Sequence, residues 1–469
     1  MEQQTTPQLR RALGLIGLTL FGLSYMAVGT VFTTYGIVNQ ITEGRLPLAY
    51  VVALITMLFT ALSYAAMVRK FPVAGSAYTY VQQSYGGAAG FITGWVLLLD
   101  YLFIPMLNFL ILGLYVSSQF PSIPMQIPAF GAVLLVYLFN VLGIKLASRF
   151  NIATVAISTA VVVAFGILAL KLAVNDPNAP GLLEPFLPGA AGFSPILTGA
   201  GILALSFLGF DAVSTLSEEA RRPNRDIPRA IILTTLIGGG IFIVVSWIGA
   251  LAYRPENWAT VPQDLLDSAG VVLANFVGGP VFGIAMVIAT IAGCLGSGLA
   301  GQVSVSRILY SMGRDGILPR RFGTLSARYK TPVFSTTIVS LIALSCLFLS
   351  LDQVAFMISF GALAAFSMVN LSVIRSYLFP RDGEPARGVL SLIRYGLLPG
   401  IGFALSIWLW TSLDPVTWVV GGIWALLGVG ILAAKTGFFR RPVPTMDFTE
   451  VETEASGEPV STATGPQHN

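Results

Sequence analysis

Residues 194–217 read SPILTGAGILALSFLGFDAVSTLS, and the interpretation of the fold begins from this stretch. It is mostly apolar and long enough to cross a bilayer as a helix, which takes about 17 to 25 residues. Glycine, serine and Asp211 interrupt its second half. A membrane helix tolerates such a break only where protein or a polar cavity meets the freed backbone groups. The stretch therefore predicts a discontinuous helix beside a substrate or ion site.

The rest of the chain contains further segments of similar length and hydrophobicity. Of its 469 residues, 55% are hydrophobic and 10% are charged, whereas about a quarter of the residues in an average soluble domain are charged. The sequence predicts an all-α integral membrane protein with about twelve transmembrane helices. The predicted spans are 13–38, 47–68, 88–118, 126–144, 151–170, 194–217, 230–253, 270–300, 332–351, 353–374, 395–413 and 415–434.

The distribution of lysine and arginine predicts how these helices are oriented. With the N-terminus in the cytoplasm, all but three of the 26 lysines and arginines fall on cytoplasmic segments, as the positive-inside rule expects. The exceptions are Arg45, Lys171 and Arg254. We therefore expect both termini in the cytoplasm, and we attribute the net charge of +4 to topology rather than to nucleic-acid binding.

A single membrane domain accounts for most of the chain. We expect a cytoplasmic N-terminus over 1–12, a transmembrane domain over 13–437 and a disordered cytoplasmic tail over 438–469, which is rich in Glu, Thr, Ser and Gly. Cys294 and Cys346 lie inside predicted spans, and two cysteines are too few for a disulfide framework or a zinc site. We expect them to have packing roles and expect no cofactor.

The first span contains a second interruption, GLSYMAVGT at 22–30. It lies five spans before the break at 206–211, so the two segments run in opposite directions across the bilayer, as in a five-plus-five inverted repeat. We expect repeat one over 13–170, repeat two over 194–374 and two extra helices over 395–434. The alternative is that these glycines serve only close helix packing.

Two carboxylates lie deep within predicted spans. An ionisable residue there costs about 2.5 to 3.5 kcal/mol on insertion scales and is a functional candidate by default. No lysine, arginine or histidine within the spans is available to pair with Asp100 or Asp211, so a cationic substrate or protons would neutralise them. The alternatives are a helix cap for Asp211 and a buried, hydrogen-bonded acid for Asp100.

Residues near these two acids could contribute to a cation site. Tyr101 follows Asp100 and can offer its ring face to an ammonium group, and Tyr25 lies in the first break. Packing is the alternative role for both tyrosines. Glu218 lies seven residues after Asp211, which returns it to the same helix face. It is a candidate for the proton pathway, or else it balances the arginines that follow.

Three motifs resemble those of the amino acid-polyamine-organocation (APC) superfamily permeases. They are FPVAGSAYTY at 71–80, SFLGFD at 206–211 with its continuation to Pro228, and SRILYSMGRDG at 306–316. Within that superfamily, three shorter stretches are similar to the bacterial putrescine importers. These stretches are TVF at 30–32, LDYLF at 99–103 and GFDAV at 209–213.

The resemblance implies a LeuT-type fold that binds substrate between broken helices one and six. It also implies uptake across a bacterial inner membrane, driven by the proton gradient. We expect Asp100 or Glu218 to take the coupling proton. The expected substrate-binding residues are Tyr25, Ala27, Gly29, Thr30, Asp100, Tyr101, Phe207, Gly209 and Asp211.

The sequence departs from the family pattern in the first break. Amino acid members usually carry Gly-Ser-Gly there, whereas this chain reads VGT at 28–30. The missing glycine argues against a substrate with a carboxylate, and the unpaired acids favour a diamine. Some sodium-independent members place a lysine in span five, but 151–170 contains none, so proton and sodium coupling both stay open.

We therefore expect a secondary transporter that imports putrescine or a similar small polyamine by alternating access. Its partners would be the cationic substrate, protons and membrane lipid, with no nucleic acid, and it would act as a monomer or homodimer. An amino acid permease or an amino acid/amine exchanger is the alternative. A channel would not need paired broken helices, and an intramembrane enzyme would need a metal cluster or a Ser-His pair that the spans lack.

Overall fold

The computed structural model of the protein describes most of the chain. The described residues are 13–27, 29–71, 77–142, 147–177, 181–218, 220–255, 257–314, 316, 318–326, 331–380, 385, 387–438 and 440. The N-terminal segment predicted over 1–12 and nearly all of the tail predicted over 438–469 lie outside them. Apart from two isolated bridges, the described part has no β pairing. The prediction of an all-α protein is confirmed.

Sixteen α-helices run along the described residues. They are α1 (Leu15–Met26), α2 (Thr30–Ile41), α3 (Leu46–Lys70), α4 (Ala77–Tyr85), α5 (Gly87–Gln119), α6 (Gln126–Leu142), α7 (Ala147–Asn175), α8 (Ser194–Leu203), α9 (Pro223–Ala252), α10 (Gln263–Asp267), α11 (Ala269–Arg314), α12 (Val333–Ala343), α13 (Leu351–Leu378), α14 (Val389–Leu392), α15 (Leu398–Thr411) and α16 (Pro415–Lys435).

Nine helical segments of the described chain are long and apolar enough to cross a membrane. The bent pair α1 and α2 makes a tenth if it is one span, and α6 and Val333–Leu347 are shorter apolar helices. Each predicted span overlaps one of these segments. The protein is therefore a multi-pass membrane protein, while the exact number of twelve spans stays a prediction.

The first predicted break falls between α1 and α2. Helix α1 ends at Met26, α2 begins at Thr30, and their axes differ by 47°. Ala27 has a φ of +47°, a conformation that alanine rarely adopts. The Thr30 hydroxyl donates a hydrogen bond to the Ala27 carbonyl at 2.7 Å. A side chain thus satisfies one of the carbonyls that the end of α1 leaves free.

The second predicted break follows α8. The α-helical conformation ends at Leu203, and a 3₁₀ segment, Ala204–Phe207, follows it. Residues 208–211 form a turn in which Gly209 has a φ of +128°, and a second 3₁₀ segment covers Ala212–Glu218. A glycine suits this turn because L side chains rarely adopt that φ.

Burial separates a central group of helices from a peripheral group. Within the most apolar 18 residues of each segment, 78% of the residues are buried inside the protein in α5, 83% in α13 and 89% in Ser194–Ser214. The corresponding shares are 17% for Val389–Thr411, which includes α15, and 22% for α16. Asp100 and Asp211 therefore belong to the central group. The division into two repeats and two extra helices stays a prediction.

Candidate functional site

A cavity of about 560 Å³ lies between α1, α2, α5, α7 and α11. Four of the predicted site residues line it at the first break: Tyr25, Ala27, Gly29 and Thr30. Tyr25 is 41% exposed although it lies in the middle of the chain's first apolar segment, because its ring faces this open space. The break in the first span therefore forms part of a cavity wall.

The opposite wall carries neutral polar groups from α5 and α11. The Asn108 side-chain amide donates a hydrogen bond to the Ser297 hydroxyl at 3.1 Å and thereby joins these two helices. Thr290 and Cys294 lie on the same wall. None of the described residues that line the cavity carries a charge. The cavity can therefore hydrogen-bond a polar molecule, but it does not itself supply a counter-ion.

The cavity reaches towards one end of the helices and is closed at the other. It extends to Gly17 near the beginning of α1 and to Ser304 near the end of α11. At the other end, the rings of Phe32 and Phe165 meet edge to face with centroids 4.9 Å apart. The Tyr115 hydroxyl donates to the Phe32 carbonyl at 2.9 Å. These contacts join α2 to α5 and α7 at the closed end.

Asp100 is buried on α5, with 3% of its surface exposed. Its Oδ1 atom has no hydrogen-bond partner among the described residues. Gly361 of α13 lies directly against it, since a Cβ atom on that glycine would stand 3.0 Å from the Asp100 nitrogen and 3.2 Å from its Cβ. A buried carboxylate oxygen without a partner is costly unless a proton or a cation meets it.

The Asp211 carboxylate is held by the break that precedes it. Its Oδ1 accepts a hydrogen bond from the Gly209 backbone N–H at 3.0 Å, and the Ala212 N–H also bonds to the carboxylate. Gly209 precedes Asp211, whereas a helix N-cap accepts from N–H groups two or three residues after it. The contact with Gly209 therefore stabilises the turn at 208–211 and is not itself the helix cap given as the alternative role for Asp211. Backbone donors also stabilise the charged form of a carboxylate, so the same contact is compatible with a counter-ion role.

Asp100 and Asp211 are close enough for their charges to interact. Tyr25 and Tyr101 lie within the same electrostatic range of both acids, as does Tyr64 of α3. No cationic side chain of the described chain interacts with either carboxylate. The two acids therefore form an acidic site bordered by tyrosines, behind the part of the cavity wall that Tyr25 supplies.

The structure separates the predicted site residues into groups. The first-break residues line the cavity, whereas Asp100, Tyr101 and Asp211 lie outside its lining. Phe207 packs edge to face on Phe242 of α9, with centroids 5.7 Å apart, and is fully buried there. The Glu218 side chain lies outside the described part of the structure. The role of each residue in substrate binding stays a prediction.

Several polar residues near the site were not among the predicted site residues. Thr290, Cys294 and Ser297 line the cavity on α11, and the small-residue run GCLGSG at 293–298 was a signal that could have identified this wall. Tyr64 packs edge to face on Phe210 with centroids 5.6 Å apart. No periodicity in α3 distinguishes Tyr64 from an ordinary core residue.

An ion pair lies at the closed end of the protein. An Arg254 guanidinium nitrogen is 2.5 Å from Glu184 Oε1, and both side chains are about two-fifths exposed. The hydrogen bond and the positive charge of Arg254 hold the pKa of Glu184 below its ordinary value. The pair joins the connection before α8 to the residues after α9. It is the one salt bridge among the residues that the structure describes.

Comparison with known proteins places the chain in a family. The amino acid permease family model matches residues 17–413. The low-affinity putrescine importer PlaP of Escherichia coli K12 is 39% identical over 454 residues, which cover 95% of this chain and 99% of that protein. The branched-chain amino acid permease BcaP of Bacillus subtilis 168 is 29% identical over 90% of this chain and 92% of its own.

A plant relative is more distant but still extensive. The vacuolar cationic amino acid transporter 4 of Arabidopsis thaliana is 28% identical over 79% of this chain and 62% of its own length. The relatives named here are transporters, and the resemblance to the APC superfamily that the motifs indicated is confirmed. Because the family model covers most of the chain and the helices are those of a multi-pass membrane protein, this chain belongs to the amino acid permease family of transporters.

Proposed function

We propose that this permease imports putrescine or a similar small diamine across the bacterial inner membrane, coupled to protons, by alternating access. The observation that carries the proposal is the acidic pair. Asp100 and Asp211 are both buried and interact with each other, and no cationic side chain of the described chain interacts with them. Putrescine carries two ammonium groups at neutral pH and would supply the missing positive charge.

The surrounding side chains suit an ammonium substrate. Tyr25 and Tyr101 lie within electrostatic range of both acids, and tyrosine rings attract cations through their negative faces. The similarity to an E. coli protein named as a putrescine importer supports the same substrate class. In this proposal the two carboxylates bind the two ammonium groups, and the tyrosines surround the carbon chain between them.

Tyr25 would control access to the acids. It lines the cavity and interacts electrostatically with both carboxylates, which do not line the cavity themselves. A substrate in the cavity therefore contacts Tyr25 before it contacts either acid. With the orientation predicted from the basic residues, the end of the cavity at Gly17 and Ser304 lies on the cytoplasmic side. Alternating access would then require the closed end at Phe32 and Phe165 to separate.

Asp100 is the proposed coupling site for protons. Its Oδ1 has no hydrogen-bond partner among the described residues, so a proton on this carboxyl group would reduce the cost of burial when no substrate is present. For an inward proton gradient to drive uptake, the proton must cross together with the substrate. Asp100 would therefore keep its proton while its other oxygen accepts a hydrogen bond from an ammonium group, and would release both to the cytoplasm. Glu218 is the second candidate, on its sequence position alone.

The test is uptake of radiolabelled putrescine into proteoliposomes that contain the purified full chain. We expect saturable uptake that increases under an inward proton gradient. An Asp100→Asn variant should lose the response to the gradient while it keeps some exchange of putrescine. A protein that transports no putrescine under either condition would contradict the proposal. Gradient-independent uptake by the wild-type protein would contradict only the proton coupling.

An amino acid substrate is the second candidate function. The neutral lining of the cavity, with Asn108, Ser297 and Thr290, could hydrogen-bond a zwitterion, and BcaP is named for branched-chain amino acids. Competition separates the two candidates. If the protein takes up labelled leucine or arginine saturably, and unlabelled putrescine does not reduce that uptake, the protein is an amino acid permease. The two acids then have another role.

A further inference from the structure

Basic and aromatic side chains gather on one face of the protein, where two helices end and two helical segments begin. They come from the last turn of α3, the first turns of α9, the last turns of α13 and the π-helical segment Ile393–Leu397 that precedes α15. The orientation predicted from the basic residues places all four ends at the cytoplasmic surface. We call this group the basic-aromatic cluster. Its members are Arg69, Lys70, Arg229, Tyr377, Arg394 and Tyr395.

Two stacked tyrosines form the centre of the cluster. The rings of Tyr377 and Tyr395 are parallel within 3°, with centroids 3.9 Å apart. The Tyr377 hydroxyl donates to the Ala66 carbonyl of α3 at 2.9 Å. Lys70 Nζ lies 5.0 Å from the Tyr377 centroid, and Arg394 Cζ lies 5.5 Å from the Tyr395 centroid. The stacked pair therefore contacts one cationic group from α3 and one from the π-helical segment.

Three arginines of the cluster have no anionic partner among the described residues. Arg69 is close enough to Arg394 and Arg229 for their positive charges to repel one another. None of the three forms an ion pair with a carboxylate of the described residues, while the acidic residues 382 and 384 lie outside those residues. Grouped guanidinium ions favour an anion, and their planar donor arrangement matches a phosphate group.

Exposed apolar side chains lie next to the cluster in the chain. Helix α14 directly precedes the π-helical segment. Its Val389 and Leu390 side chains have more than three-quarters of their surfaces exposed. Leu392 is 59% exposed, two residues before Arg394. These side chains belong to the candidate membrane span Val389–Thr411, so acyl chains cover them in a bilayer and the cluster lies beside the hydrocarbon region. Charge and apolar surface together thus fit a lipid.

We propose that the basic-aromatic cluster binds the phosphate of an anionic phospholipid in the cytoplasmic leaflet, with the acyl chains along α14. Arg69, Arg229 and Arg394 would hold the phosphate oxygens, and the stacked tyrosines would support the headgroup from the protein side. The lipid would connect α3, α9 and α15, which are distant in sequence. This site is separate from the transport cavity, and the inference does not depend on which substrate the permease carries.

The test is a titration of lipid into the full chain purified in detergent. The melting temperature and native mass spectrometry report binding at each lipid concentration. We expect phosphatidylglycerol to bind and stabilise the wild-type protein, and phosphatidylcholine to do neither. The variant Arg69→Gln/Arg229→Gln/Arg394→Gln should bind phosphatidylglycerol at least tenfold more weakly, because each basic residue next to the anionic headgroup contributes about fivefold in affinity.

A second triple variant serves as the matched control. Arg320→Gln/Arg321→Gln/Arg440→Gln removes the same charge from exposed arginines on the same predicted membrane face. It should bind phosphatidylglycerol within about twofold of the wild type, because in detergent only basic residues next to the bound headgroup gain from its charge. If the two triple variants lose the same affinity, or neither loses any, the cluster is not a specific site. If inorganic phosphate alone stabilises the protein as much as phosphatidylglycerol does, the ligand is a soluble anion and the lipid proposal is wrong.

A milder pair of variants covers the case in which the triple variant does not fold. Arg394→Gln and Arg320→Gln each remove one exposed guanidinium, and both should melt like the wild-type protein in phosphatidylcholine. Arg394→Gln should weaken phosphatidylglycerol binding about fivefold, while Arg320→Gln should not change it. Equal binding by the two single variants would overturn the proposal.

Discussion

Gly209 lies against the backbone of Met26, so the two interrupted segments meet at one point. A Cβ atom built on Gly209 would stand 2.9 Å from the Met26 nitrogen and 3.0 Å from Tyr25 Cβ. The contact brings the turn that holds Asp211 next to Tyr25, which lines the cavity. A change at Gly209 should therefore affect both the acidic site and the cavity wall.

We predict that Gly209→Ala destabilises the protein by about 1 to 3 kcal/mol and abolishes most transport. The added methyl group would collide with backbone atoms, which cannot move aside as a flexible side chain can. Alanine would also have to adopt a φ of +128°. The measurements are the melting temperature in detergent and putrescine uptake.

Gly240→Ala is the control for this prediction. Gly240 lies within α9, and a Cβ atom added there meets nothing within 4 Å. Alanine in a helix interior is favoured over glycine by about 0.5 to 1 kcal/mol, so this variant should be as stable as the wild type or slightly more stable. If both variants behave alike, the contact between the two segments does not constrain the protein.

The spans could be predicted from the sequence because hydropathy and length largely determine which segments cross a bilayer. The central position of Asp100 followed from the same pattern. The direction of Phe207 could not be predicted in this way, because it lies in a 3₁₀ segment whose side chains do not follow the 3.6-residue period. Its ring packs on Phe242, outside the cavity lining.

The cavity wall on α11 also depended on tertiary structure. Cys294 lies in a long apolar helix in which hydropathy does not distinguish a cavity-facing residue from one that packs against a neighbouring helix. The separation of Asp100 and Asp211 from the cavity lining likewise depends on where Tyr25 lies after the first break bends the chain by 47°. Such relations arise from contacts between distant segments, and single-sequence patterns do not contain them.

We predict that Asp211→Asn raises the putrescine concentration for half-maximal uptake about ten- to a hundredfold. The amide removes the negative charge that would face an ammonium group, and hydrogen bonds to charged groups contribute about 1.5 to 3 kcal/mol. The asparagine oxygen can still accept the hydrogen bond from the Gly209 N–H. Stability should therefore change little, and the measurement is the concentration dependence of uptake.

Asp414→Asn is the matched control for the loss of charge. Asp414 Oδ1 accepts a backbone hydrogen bond from the Val416 N–H at 2.8 Å and caps the start of α16. Asp211 also accepts a backbone hydrogen bond, but from the Gly209 N–H that precedes it. Both amide variants should keep their backbone hydrogen bond and melt like the wild type, but only Asp211→Asn should affect uptake. Unchanged uptake by Asp211→Asn would leave Asp211 with a structural role in its turn.

We predict that putrescine protects Cys294 from alkylation. Both cysteines are buried, but Cys294 keeps 5% of its surface exposed and lines the cavity, whereas Cys346 has none exposed and does not line it. A small maleimide at pH 8 should therefore label Cys294 first, and saturating putrescine should slow that labelling several-fold. Peptide mass spectrometry can follow each cysteine separately, and Cys294→Ser should remove the protected signal. Labelling of Cys294 that putrescine does not slow would show that substrate does not occupy the cavity.

We predict that the Glu184–Arg254 pair makes a small contribution to stability that disappears in acid. Because Arg254 holds the pKa of Glu184 below its ordinary value, the contribution is fully present above about pH 4.3, the ordinary glutamate pKa. It is lost as the pH falls through the lowered pKa of the folded protein. The side chains are about two-fifths exposed, so the contribution at pH 7 should stay below about 1 kcal/mol.

A double-mutant cycle with Glu184→Gln and Arg254→Gln measures this contribution directly. The coupling energy should be positive at pH 7 and absent at a pH below the lowered pKa of Glu184. The Trp247 indole N–H donates to the Leu182 carbonyl at 2.9 Å. None of the variants changes either residue, so the connection before α8 should keep its position on α9. A coupling energy that persists in acid would mean that the two residues interact through the positions of their backbones and not through charge.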